Sequence, residues 1–81
     1  MPTVSVLKDV LADLHGDPDL KNLSDNASVL SDVGLDSLEL LQFILEVEAS
    51  LAVEVDFERL SYEDLESLTD LASFLDSMPR Q

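Results

Sequence analysis

Leu40, Phe43, Ile44, Val47 and Leu51 recur three and four residues apart. That spacing puts all five on one face of a helix over 37–51, and a face so apolar has to be covered. Two other segments offer cover. Leu7, Val10, Leu11 and Leu14 form a stripe on a helix over 4–15, and Leu68, Leu71, Ala72 and Leu75 form one on a helix over 68–77. Helices that each carry one apolar stripe pack against one another, so the expected class is all-α, with residues 1–81 as a single domain. A chain of this size buries only about 60% of its unfolded surface, so the core is thin.

The ends of these helices carry recognisable signals. Thr3 is a candidate N-cap and Gly16 a stop for the first helix, and His15 sits where an imidazolium suits the helix dipole. The connection over 16–35 is long for a compact domain and must be pinned, with Leu20, Leu23, Val29 and Leu30 as the pins. A helical turn near 18–23 fits, and Gly34 supplies a bend before the helix at 37. Residues 52–56 alternate like a strand but have nothing to pair with, so they read as an extended connector that carries Val53 and Val55 to the core. Residues 57–66 fit one or two short helical turns, counted as a short third helix, with Phe57, Leu60 and Leu65 facing inward. Ser67 and Asp70 resemble a capping box, and an alternative cap at Ser61 with Asp64 would merge the last two segments. Residues 78–81 read as a frayed tail. The expected fold is therefore a small four-helix bundle with a long loop between its first and second helices.

Charge narrows the functions open to such a bundle. Eighteen acids oppose four bases, for a net charge of −14. A field of that sign repels nucleic-acid backbones and anionic membranes, so neither is an expected partner. It attracts proteins with basic patches, although the acidity also serves solubility alone. No apolar run approaches the roughly 20 residues needed to span a bilayer, and the first residues lack the pattern of a signal peptide, so a cytoplasmic monomer is expected. With no cysteine and one histidine, no metal site is expected. Two glycines exclude a glycine-rich phosphate loop. A Ser–His–Asp arrangement could draw only on His15, and a thin bundle offers it no pocket, so no catalytic residue is expected.

Ser37 is the remaining chemical group of interest. It stands at the start of the helix over 37–51, between Asp36 and Leu38, with Glu39 next. With no base beside it, it is a poor nucleophile but an accessible substrate for another enzyme. A phosphate ester there would lie at the positive end of the helix dipole, near free backbone N–H groups. The alternative is that Ser37 is simply the helix cap. On the same helix Leu38, Leu41 and Leu45 make a second apolar stripe, from which Leu41 is expected to enter the core and Leu38 and Leu45 to stay exposed.

The run Asp32-Val33-Gly34-Leu35-Asp36-Ser37-Leu38-Glu39-Leu40-Leu41 closely resembles the attachment site of acyl and peptidyl carrier proteins. The likeness continues through Glu48-Ala49-Ser50-Leu51 and, more loosely, into the last helix. It implies the acyl carrier four-helix bundle. It implies that a phosphopantetheinyl transferase moves 4′-phosphopantetheine from coenzyme A onto Ser37, and that the thiol at the end of this arm then carries acyl or aminoacyl groups as thioesters. The protein would be a shuttle and not an enzyme. It would be served by an acyltransferase or an adenylating ligase, and by synthases or tailoring enzymes with basic docking patches. The resemblance assigns partner recognition to Asp36, Leu38, Glu39, Leu41, Gln42, Leu45, Glu46 and Glu48. Gln42 stands where fatty-acid carriers usually have an acid, and Ala49 replaces another. These departures, with the Val53–Leu60 region, look more like free-standing carriers of polyketide or nonribosomal peptide assembly or D-alanyl carriers. A fatty-acid-synthase carrier and an unmodified acidic docking module remain as alternatives.

Overall fold

A computed structural model describes residues 3–80. Three α-helices organise them: α1 (Thr3–His15), α2 (Ser37–Leu51) and α3 (Leu68–Asp76). Two short 3₁₀ turns, Pro18–Asn22 and Tyr62–Leu65, lie in the connections. α1 packs against both α2 and α3. Its buried Leu7 and Leu11 join Phe43, Ile44 and Val47 of α2 and Leu68, Leu71 and Leu75 of α3 in one core. The stripes read from spacing are therefore the faces that meet.

Local chemistry accounts for the helix ends. Thr3 is itself helical in α1, and its hydroxyl donates across the bundle to the Asp76 carboxylate, so Thr3 is not an N-cap. Gly16 ends α1 in the left-handed region at φ 62°. The long loop is pinned as expected. Val29 is fully buried, while Leu20, Leu23 and Leu30 pack on the core. Lys8 reaches from α1 to Asp25 at 2.7 Å. The predicted turn near 18–23 is the 3₁₀ turn, started by Asp17, whose carboxylate accepts from Asp19 N–H.

The segment expected as a short third helix differs. Only Tyr62–Leu65 is helical there, as a single 3₁₀ turn. Side chains on both sides satisfy the backbone locally. Asp56 accepts from Glu58 N–H through its carboxylate and from Arg59 N–H through its carbonyl. The Asp64 carboxylate accepts from both Ser61 N–H and Ser61 hydroxyl. The bonds to Asp56 compete with a continuous helix, whereas those between Ser61 and Asp64 are the alternative cap read from the sequence, which opens the 3₁₀ turn but does not merge it with α3. Phe57 consequently stays 46% exposed instead of facing inward, while Leu65 is buried and Leu60 partly so.

The last residues also depart from expectation. Val53 and Arg80 form an isolated antiparallel bridge, and Glu54 N–H donates to the Pro79 carbonyl at 2.8 Å. The connector therefore does have a pairing partner. Met78 is buried, so 78–80 are docked, while Gln81 lies outside the described residues. Val53 and Val55 are buried as expected.

Candidate functional site

α2 begins with a reciprocal cap. The Asp36 carboxylate accepts from Glu39 N–H at 2.8 Å, and Glu39 reaches back toward Asp36 N–H at 3.4 Å. Asp36 is thus the N-cap and Ser37 is the first helical residue, which corrects the reading of Ser37 as the cap. Gly34, at φ 80°, turns the chain into this position, and Leu35 anchors it in the core.

Relieved of capping, the Ser37 side chain is exposed and its hydroxyl makes no hydrogen bond. The N–H groups of Ser37 and Leu38 are also unpartnered. Three polar groups at the positive end of a helix dipole therefore face outward together. A shallow groove of about 180 Å³ adjoins them, lined by Ser37, Leu40, Leu41, Ile44, Phe57 and Leu60. A larger depression of about 460 Å³ lies at the other end of α2, beside Thr3, Ser50, Leu51 and Arg80, and does not touch Ser37.

The sequence-derived site residues fall around this start. Leu38 and Leu45 are 64% and 50% exposed, as expected. Leu41, expected in the core, is 45% exposed, because the interrupted segment at 57–61 leaves that side of α2 only partly covered. Gln42 and Glu46 are exposed. Glu48 bends inward, its carboxylate accepting from Val55 N–H at 2.8 Å. His15 does not simply end α1. Its Nε2 lies 3.2 Å from the second oxygen of Glu39, tying the end of α1 to the start of α2. Neither the His15–Glu39 nor the Glu48–Val55 contact carried a sequence signal, since nothing in residue spacing relates a helix end to a helix start 24 positions on.

An exposed serine beside free N–H groups, with no base at hand, suits modification by another enzyme and not catalysis. Among the described residues no group of acids or histidine is arranged to hold a metal. Residues 5–75 match the family described as "Phosphopantetheine attachment site". That match spans most of the chain, and the protein belongs to this family: it is a carrier protein, not an enzyme, and its cofactor is phosphopantetheine. An "Acyl carrier protein" of Brachyspira hyodysenteriae (strain ATCC 49526 / WA1) is 28% identical over 76 residues, covering 94% of this chain and 95% of the relative. A second one from Brachyspira hyodysenteriae matches to the same extent. The open start of α2 fits the cofactor, since a phosphodiester on Ser37 would meet the two unpartnered N–H groups and displace no internal bond. No described helix is long and apolar enough to cross a membrane.

Proposed function

We propose that Ser37 is the attachment residue and that the protein shuttles acyl or aminoacyl groups as thioesters between enzymes of a biosynthetic pathway. The observation that carries this is the free, exposed Ser37 hydroxyl at the first position of a helix capped by its neighbour. In the loading step the Ser37 oxygen bonds to the pantetheine-side phosphorus of coenzyme A. The diphosphate link breaks, adenosine 3′,5′-bisphosphate leaves, and the serine proton passes to a base of the transferase. Asp36 holds the helix start in register for this attack, and the unpartnered N–H groups stabilise the phosphodiester once formed. Partner enzymes dock on the exposed side of α2 around Ser37. The working place is the cytoplasm, where coenzyme A is supplied.

The pathway we favour is polyketide or nonribosomal peptide assembly, with fatty-acid and D-alanyl carriage as the second reading. Neutral Gln42 and Ala49 favour the first, while the name of the Brachyspira relatives favours an acyl cargo. Intact mass before and after incubation with coenzyme A and a broad-specificity phosphopantetheinyl transferase tests the assignment. A gain of one phosphopantetheine in the wild type and none in Ser37→Ala is expected. No gain from folded wild type, with a more selective transferase also tried, would leave an unmodified docking module.

A further inference from the structure

The turn that carries Ser37 has little to hold it. Before it, Leu35 is buried and its N–H donates to the Val29 carbonyl at 3.1 Å. After it, Phe43 and Ile44 fix α2 in the core. Between these anchors Asp36, Ser37 and Leu38 are exposed and send no side chain into the core. The N–H groups of Ser37 and Leu38 are unpartnered. The first turn of α2 therefore depends on its reciprocal cap, whose weaker half is the 3.4 Å approach of Glu39 to Asp36 N–H. A long carboxylate side chain at the surface spends little time in one rotamer unless something holds it.

His15 supplies that hold. Its Nε2 lies 3.2 Å from the Glu39 oxygen that the cap does not use. An imidazole with its proton on Nε2 donates here whether neutral or charged. Among the described residues, this is the one hydrogen bond or ion pair that residues 36–39 make outside α2 and its cap. The end of α1 that presents His15 is itself closed. Gly16 is left-handed, Asp17 N–H donates back to the Ala12 carbonyl at 3.0 Å, and Leu11 and Ala12 are buried. The contact thus ties an exposed turn to a fixed one. The two side chains are 27% and 37% exposed, so the tie shifts populations by a few-fold and not by orders of magnitude.

Resting on the reading of Ser37 as the attachment residue, we propose that His15 is a positioning residue for its modification. From the end of α1 it holds Glu39 in the rotamer that completes the Asp36 cap, and so keeps the Ser37 turn folded before a transferase arrives. No hydrogen bond links His15 to Ser37. His15 acts by raising the fraction of molecules whose serine is already aligned, an effect that falls on KM and leaves kcat alone.

The test is phosphopantetheine transfer onto the full chain by a transferase that loads it, with kcat and KM measured separately. His15→Ala is expected to lower kcat/KM about three- to fivefold, through KM. His15→Gln places an N–H donor where Nε2 stood and should return the rate to within about twofold of wild type. Thr3→Val removes the bond to Asp76 at the other end of α1, and should lower the melting temperature without slowing loading. In a Glu39→Ala background, already slowed, His15→Ala should change nothing further. Equal slowing by Thr3→Val, no rescue by His15→Gln, or losses at 15 and 39 that multiply would each overturn the positioning role. Amide hydrogen exchange gives a readout that needs no transferase. The N–H groups of Glu39 and Leu40 are bonded to the carboxylate and carbonyl of Asp36, and should exchange about threefold faster in His15→Ala. That of Leu71, bonded to the Ser67 carbonyl at the start of α3, should not change. Unchanged exchange at 39 and 40 would also overturn the proposal. If the wild type never gains mass, the carrier reading fails, while the exchange arm still judges the hold of His15 on the cap.

Discussion

The starts of α2 and α3 use the same device for opposite ends. Each has a short polar N-cap, Asp36 or Ser67, accepting from the third N–H of its helix. At α3 the two preceding N–H groups are taken as well. Leu68 N–H donates to the Ala27 carbonyl and Thr69 N–H to the Asp25 carbonyl, each at 2.9 Å, and Leu68 is fully buried. At α2 the corresponding groups of Ser37 and Leu38 are left free and exposed. One start is closed by the long loop and serves the fold. The other is open, as the attachment proposed for Ser37 requires. A helix N-terminus thus becomes a site only where the rest of the chain leaves it alone.

Substitutions at the two starts should separate these roles. The largest effect is on loading: Ser37→Ala should abolish the mass gain completely while leaving the melting curve nearly unchanged, because its hydroxyl bonds to nothing. Leu68→Ala should do the reverse. It removes a fully buried side chain and should cost about 2–5 kcal/mol in urea unfolding, with loading intact under conditions where the variant stays folded. Gly34→Ala is next. Its Cβ would meet nothing within 4 Å, but φ 80° disfavours any side chain, so about 1–2 kcal/mol should be lost by urea unfolding. Ser67→Ala and Asp36→Ala should each cost about 1 kcal/mol in the same assay. Only Asp36→Ala should also slow loading in a timed transferase reaction, and equal loading rates for the two would erase the distinction drawn here. The smallest effect is global: moderate salt should raise the melting temperature by screening self-repulsion among eighteen acids.

Much of this contrast could be read from residue order. The stripes on α1, α2 and α3 are local patterns, and the core they predicted is the core that forms. Ser37 stood out because an acid, a hydroxyl and an apolar run follow a glycine in the right order. Residues 57–66 hold a single 3₁₀ turn and not a longer helix because Asp56 bonds a nearby N–H, and spacing does not say whether an acid will promote a helix, as Asp64 does, or satisfy such a group instead. The exposure of Leu41 follows from that interruption, so one local error became an error at the site. Docking of 78–80 depends on pairing between Val53 and Arg80, 27 positions apart, and on Met78 finding a place in the core. The closure of α3 by Asp25 and Ala27 is equally nonlocal, and backbone carbonyls leave no mark in residue identity.

The hydrogen bond from Thr3 to Asp76 and the pairing of Arg80 with Val53 bring both ends of the described chain to the pole of the bundle opposite Ser37. With the attachment proposed at Ser37, the carrier has a handle end and a working end. A fusion partner or a surface linker attached at either end would hold the molecule from behind, leaving an arm on Ser37 free to sweep the opposite hemisphere.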